Sequence, residues 1–124
     1  MKYKIEIINI KSFGSNLDLL EKEDQGLEVT EFDRQGLAFL VAKNHFVVGN
    51  LVTIFCQIYL DKQIFPFEAT AAIQAKDEVP AASLFRIKMQ LRQFDREIWK
   101  RFLDTADAKQ KHIDGLLAKM KGDS

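Results

Sequence analysis

The sequence predicts a mainly β protein: a six-stranded antiparallel barrel or sandwich followed by one long C-terminal α-helix. Apolar and polar residues alternate through most of residues 1–94, and compact turn signals separate the alternating segments. After Phe94 the apolar period changes to that of a helix. We expect the 124 residues to form a single domain, with residues 1–94 as the barrel and residues 95–121 as the helix.

The predicted strands are the alternating segments themselves. Every second residue is apolar from Leu51 to Leu60 and again from Phe85 to Leu91. The fully apolar run Gly36–Ala42 is typical of a central strand. The remaining predicted strands cover residues 3–7, 27–32 and 67–75. Six short strands of this kind favour closure, because a closed sheet has no exposed edge.

The C-terminal helix is predicted to begin after Asp95, a suitable N-cap, with Phe94 and Trp99 spaced as a hydrophobic staple. A continuous helix over residues 95–121 would span about 40 Å, whereas a barrel strand of six to eight residues spans roughly 20–27 Å. We expect the first half to cover the barrel and the second half to meet another apolar surface. That half either binds a partner protein or a second copy, or folds back on the barrel. Its partner-binding candidates are Ile113, Leu116, Leu117 and Met120.

Charge and composition exclude several classes of function. The 18 basic and 18 acidic residues give a formal net charge of zero, which argues against nucleic acid polymers or an anionic membrane as the main partner. No apolar run is long enough for a membrane span. Residues 1–10 include Lys2, Lys4 and Glu6, unlike the continuous apolar stretch of a signal peptide. We therefore expect a cytoplasmic protein.

The sequence contains no pattern that indicates catalysis or metal binding. His45 and His112 belong to different segments and lack metal-ligand spacing, and no phosphate loop or nucleophile elbow occurs. The single cysteine, Cys56, lies in an apolar run and is interpreted as a buried hydrophobic residue. We expect a protein that is not an enzyme and has no resident metal or cofactor.

The plan of six strands and a closing helix resembles the PilZ domain, a bacterial barrel that typically serves as a cyclic di-GMP receptor. The resemblance centres on Glu31-Phe32-Asp33-Arg34-Gln35-Gly36-Leu37 and continues at Val48-Gly49-Asn50-Leu51-Val52. The passage from Phe94 through Trp99 to Phe102-Leu103 is similar to the family's strand-to-helix junction. Gly36 and Leu37 match the family's motif, whereas Glu31 and Asp33 occupy its acidic and serine positions imperfectly.

The family's second motif, an Arg-x-x-x-Arg ahead of the first, holds the ligand's phosphates with guanidinium groups. This chain has no arginine before Arg34, and residues 18–33 carry a net charge of −6. A dianionic nucleotide would be repelled there, and an ionised Asp33 accepts hydrogen bonds but cannot donate one. We therefore expect the family's usual site to be degenerate, and we interpret the acidic stretch as a surface for a basic protein partner.

The leading hypothesis is a non-enzymatic bacterial signalling or adaptor domain that resembles PilZ and acts through protein contacts. The first alternative is a cyclic di-GMP receptor with an altered basic site. Its candidate anion-binding residues are Arg34, in the motif segment, and Arg92 and Arg96. The last two lie within residues 86–101, which carry a net charge of +4. The second alternative is a small structural β-barrel unrelated to PilZ.

Overall fold

The computed structural model describes residues 3–21, 24, 26–42 and 45–106 of the chain. These residues form a mainly β fold in which seven antiparallel strands make one curled sheet, a half-barrel. A short C-terminal helix, α1, occupies residues 96–106, and a 3-10 turn at Pro80–Ala82 joins the last two strands. The strands are β1 (Tyr3–Ser12), β2 (Leu27–Glu28), β3 (Glu31–Phe32), β4 (Gly36–Val41), β5 (Leu51–Leu60), β6 (Gln63–Val79) and β7 (Leu84–Gln93).

The prediction of a closed six-stranded barrel is wrong, because the segment expected to form one strand over residues 27–32 forms two short edge strands. The order β2-β1-β5-β6-β7-β4-β3 places β2 and β3 at opposite edges of the sheet. Between them, the Val29 amide donates to the Ile5 carbonyl on β1, and the Thr30 amide donates to the Ala38 carbonyl on β4, each at 2.9 Å. The consecutive residues Val29 and Thr30 therefore bond to two different strands, β1 and β4, which a single strand paired with one neighbour does not do.

Strand β6 produces the curl of the sheet. Its residues 63–72 pair with β5, whereas its residues 70–79 pair with β7. The overlap, residues 70–72, contains buried Ala71 and Ala72, and small side chains of this kind allow close packing where a sheet bends. The pairing with β7 shifts register at Thr70/Ala71 and at Ile73/Ala75, and such irregularities increase bending and twist.

The alternating pattern correctly predicts which residues form the core. On β5 the buried set is Val52, Ile54, Cys56, Ile58 and Leu60, and on β7 it is Ile87, Met89 and Leu91. The outward-facing rings of Phe55 and Tyr59 are covered by lysines from the neighbouring strand. Lys11 Nζ lies 5.9 Å from the Phe55 ring centroid, and Lys4 Nζ lies 4.7 Å from that of Tyr59.

Helix α1 begins as the sequence predicts. The Asp95 Oδ1 atom accepts the amides of Glu97 and Ile98 at 3.1 and 3.2 Å, which confirms Asp95 as the N-cap. The rings of Phe94 and Trp99 meet edge to face, with centroids 6.4 Å apart, as a hydrophobic staple requires. The predicted continuation of the helix to Lys121 lies outside the described residues.

An aromatic cluster joins α1 to the sheet. Trp99 stacks on Phe67 of β6 and on Phe102, with centroid separations of 5.4 and 6.1 Å. Phe102 in turn meets Phe32 of β3 at 4.8 Å and Tyr3 of β1 at 6.0 Å. The helix therefore packs on β6 where β7 no longer pairs with it, and it also contacts β1 and β3, which lie towards opposite edges of the sheet.

Candidate functional site

The residues that resemble the PilZ motif form a tight turn between β3 and β4. The Asp33 amide donates to the Gly36 carbonyl at 2.9 Å. In the same turn, Asp33 Oδ1 accepts the amides of Gln35 at 2.8 Å and Gly36 at 2.9 Å. The Asp33 carboxylate is thus used to satisfy two backbone donors, and it stabilises the turn. We call residues 33–36 the motif turn.

Gly36 is required by the close approach of β4 to β7. Gly36 pairs with Gln90, and a Cβ atom at residue 36 would overlap the Met89 carbonyl oxygen. Beside it, the Gln35 carbonyl accepts the Leu91 amide at 2.8 Å. Gly36, one of the two positions that match the PilZ motif, therefore has a packing role in this chain.

Glu31, the acidic position of the motif, is paired with a basic residue of β7. Its Oε2 atom accepts Nε and Nη2 of Arg86, and Arg86 Nη1 lies 3.7 Å from Asp77 Oδ2. One guanidinium is therefore shared by two carboxylates that come from β3 and β6. The acidic and basic stretches of the sequence meet at this point, so the surface is less polarised than the sequence alone indicates.

The motif turn also anchors the helix. Trp99, which is 2% exposed, donates from Nε1 to the Asp33 carbonyl oxygen at 3.0 Å. This bond satisfies the polar atom of a buried indole. The Asp33 side chain therefore stabilises its own turn, and the Asp33 main-chain carbonyl binds Trp99 of α1.

The three arginines proposed as an anion site come from three parts of the fold: the motif turn, β7 and α1. Arg34 projects from the motif turn into a cleft lined by Tyr3, Phe32, Leu103 and Asp104. Arg96 lies over the Phe94 ring, 5.7 Å from its centroid, and Arg92 is exposed near the end of β7.

A different set of cations lines a groove of about 930 Å³ that sequence reasoning missed. Lys4, Lys62 and Arg101 come from β1, the β5–β6 turn and α1, respectively, and we call this the cationic groove. Its other lining residues are Tyr59, Leu60, Asp61, Gln63 and Thr105. The residues meet because Lys4 pairs with Tyr59 across β1 and β5, a register that single-sequence patterning does not specify.

Large apolar side chains are exposed at the end of the sheet opposite α1. Strand β1 runs from Tyr3, which contacts Phe102, to Ser12, so Phe13 lies at the far end. The Phe13 amide donates to the Leu51 carbonyl, and the Asn50 amide donates to the Val47 carbonyl. We call this surface the apolar end; its members are Phe13, Leu17, Val47, Val48 and Leu51, which are 41–63% exposed.

Acidic groups lie beside the apolar end. Asp18 follows Leu17 in the chain, and its backbone forms an isolated antiparallel β-bridge with Lys11. Glu21 Oε1 lies 3.1 Å from Nε2 of His45, an exposed residue that precedes the buried Phe46. Asp18 and Glu21, two acidic residues of the stretch 18–33, thus lie near an exposed apolar surface.

Of the other residues that the sequence analysis singled out, Cys56 lies within the described part of the chain and the C-terminal candidates do not. Cys56 is buried as expected, and burial raises the pKa of its thiol to about 12. Over the described ranges, the structure contains no cluster of metal-ligating side chains and no helix long and apolar enough to cross a membrane. The candidate partner-binding residues Ile113, Leu116, Leu117 and Met120, and also His112, lie outside the described residues.

Comparison with known proteins provides no further assignment. The sequence matches no family model, and no curated protein is similar to it. The geometry of the motif turn, the cationic groove and the apolar end is therefore the basis for assigning a function.

Proposed function

We propose that this chain is a non-enzymatic PilZ-like signalling or adaptor domain that acts through protein contacts and does not bind cyclic di-GMP at its motif turn. The observation that carries the proposal is the apolar end, where Leu17 and Val47 are 63% and 57% exposed. Grouped apolar side chains with a polar border are typical of protein-binding surfaces. The neighbouring Asp18 and Glu21 favour a partner that places basic residues around an apolar contact.

The motif turn supports the second half of the proposal. The Asp33 carboxylate of this turn and the Glu31 carboxylate that precedes it already have partners: Glu31 pairs with Arg86, and Asp33 accepts two turn amides. A dianionic ligand placed there would meet negative charge, and the chain has no arginine before Arg34 to offset it. The positions that resemble PilZ therefore favour a structural role in this chain.

Titration calorimetry with cyclic di-GMP tests the ligand half of this proposal. We expect no binding at micromolar concentration by the parent protein. Asp33→Ser, which restores the family's residue type, is the matched variant, and we expect it to remain inactive because the arginines are still absent. Micromolar or tighter binding by the parent protein would overturn the proposed function and favour the receptor alternative.

Site-specific photo-crosslinking tests the protein-contact half. A photoreactive residue is placed at Leu17 or Val48, and the matched control position is Arg92, exposed near the end of β7. In an extract of the source cells, we expect a discrete crosslinked protein from the two apolar positions and none from position 92. Identical products from all three positions, or none from Leu17 and Val48, would contradict the assignment of this surface.

The C-terminal segment requires its own measurement. If Ile113 and Leu117 mediate self-association, the parent protein has a mass above 14.3 kDa by light scattering, and Ile113→Asp with Leu117→Asp lowers it. A monomeric parent protein would remove self-association and leave contacts with a different protein.

A further inference from the structure

We propose that the cationic groove binds a small molecule that carries phosphate groups, of the size of a nucleotide. This inference does not depend on the protein contacts proposed above, because the groove adjoins α1 whereas the apolar end lies at the opposite end of β1. It also differs from the motif turn, which shares no lining residue with the groove.

The charges of the groove favour an anion. Within the described part of the chain, neither Lys62 nor Arg101 forms an ion pair. Lys4 Nζ lies 3.5 Å from Glu6 Oε2, so its charge is partly offset. Asp61 is the acidic residue among the lining residues. Lys62 and Arg101 therefore supply most of the positive charge that a ligand would neutralise.

Two aromatic rings hold cationic side chains at the groove. The Arg101 guanidinium carbon lies 5.0 Å from the Phe65 ring centroid, and Lys4 Nζ lies 4.7 Å from the Tyr59 centroid. A cation held against a ring loses less conformational entropy when it binds an anion. The planar guanidinium of Arg101 also offers paired N–H donors, a geometry that suits phosphate oxygens.

The size and the polar lining of the groove indicate a ligand larger than a single ion. A volume of about 930 Å³ lies within the range of small-molecule pockets. Gln63 and Thr105 contribute polar side chains, and Thr105 lies one helical turn beyond Arg101, with its hydroxyl donating to the Arg101 carbonyl at 2.9 Å. These groups suit a ligand with a polyanionic part and a larger hydrogen-bonding part, as in a nucleotide.

Titration calorimetry with ATP, inorganic pyrophosphate and citrate tests the proposal. We expect the parent protein to bind ATP at submillimolar concentration, and pyrophosphate more weakly. Citrate is a carboxylate anion of similar charge, and we expect it to bind at least tenfold more weakly than ATP. No heat with ATP or pyrophosphate at millimolar concentration would overturn the proposal, and so would citrate binding as tight as that of ATP.

Substitutions locate the binding. We expect Lys62→Gln and Arg101→Gln each to weaken ATP binding at least tenfold, with an intermediate loss for Arg101→Lys, which keeps the charge without the planar fork. Arg92→Gln is the matched control, because it removes an exposed charge outside the groove, and we expect less than a twofold change. Equal losses from Arg92→Gln and Arg101→Gln would show nonspecific charge attraction and overturn the assignment.

Two further measurements complete the test: a substitution that is expected to tighten ATP binding, and NMR spectra that show which residues ATP affects. Asp61→Asn removes a lining carboxylate and keeps a residue type that tolerates the positive φ of 55° at this turn, so we expect ATP binding to tighten severalfold. In NMR spectra, we expect ATP to shift the amides of Lys62 and Thr105 and to leave those of Gln35 and Gly36 unchanged. Shifts confined to the motif turn would overturn the groove assignment and would also contradict the proposed function.

Discussion

The indole nitrogen of Trp99 donates a 3.0 Å hydrogen bond to the carbonyl oxygen of Asp33, residues separated by 66 positions in the chain. The same Asp33 accepts two backbone amides through its side chain. Helix α1 and the turn between β3 and β4 are therefore held together through one residue.

Replacing the indole tests this connection. Trp99→Phe keeps an aromatic ring but loses the donor, and we expect the free energy of unfolding to fall by about 1–3 kcal/mol. Urea denaturation measures it. Tyr59→Phe is the matched control: it removes the hydrogen bond to Gln57 on a half-buried outer ring, and it should cost less than about 1 kcal/mol. An unchanged unfolding midpoint for Trp99→Phe would show that the bond does not stabilise the fold.

A substitution at Gly36 tests the packing role of the motif turn. We expect Gly36→Ala to reduce stability by more than about 3 kcal/mol, because its Cβ would overlap the backbone of β7. Gly14 is the comparison, since a Cβ there meets open space and only its positive φ of 74° is unfavourable; Gly14→Ala should cost about 1 kcal/mol. Thermal unfolding followed by circular dichroism separates the two, and equal losses would be incompatible with the close approach of β4 and β7.

Substitutions at Asp95 test its role as the N-cap of α1. Asp95→Ala leaves the amides of Glu97 and Ile98 without their side-chain acceptor, and we expect a loss of about 1 kcal/mol in urea denaturation. Asp95→Ser keeps a capping oxygen and should retain most of the stability. A larger loss for Asp95→Ser than for Asp95→Ala would contradict the capping role.

The buried thiol of Cys56 predicts both a reactivity and a pH dependence. Burial raises the pKa of the Cys56 thiol from 9.0 to about 12, so at pH 8 the native thiolate fraction is about a thousandfold below that of the unfolded chain. We expect iodoacetamide to label Cys56 slowly until the protein unfolds. Between pH 9 and about 12 the unfolded state binds fewer protons, so stability should fall as the pH rises, and Cys56→Ala should remove that slope. Rapid labelling of the native protein would contradict the burial.

Local patterns predicted much of the fold. The alternation on β5 and β7 identified their buried faces, and Asp95 with the Phe94–Trp99 spacing identified the start of α1. These features depend on residues close in sequence, where hydrophobic period and capping chemistry act directly. The motif turn was not among the predicted turns, because Asp33 and Gly36 were singled out only by their resemblance to the PilZ motif.

Features that depend on pairing between distant strands were not predicted. The division of residues 27–32 into two edge strands follows from the curl of the whole sheet, and residues 27–32 alone do not encode that curl. The cationic groove needs the registers of β1 with β5 and the position of α1 over Phe65. Closeness along the chain indicated Arg92 and Arg96 as candidates, whereas Lys4, Lys62 and Arg101 are too far apart in the sequence to be grouped in that way.

The edge strands β2 and β3 are each two residues long, and only Val29 and Thr30 separate them along the chain. Both borders of the sheet are thus occupied by one short stretch, whose amides at residues 29 and 30 are already bonded to β1 and β4. Another polypeptide that paired with β1 at Glu6 and Ile7, or with β4 at Leu37 and Ala38, would therefore have to displace this stretch. At these positions the two borders of the half-barrel are protected from edge-to-edge pairing, although its hydrogen-bonded ring is not closed.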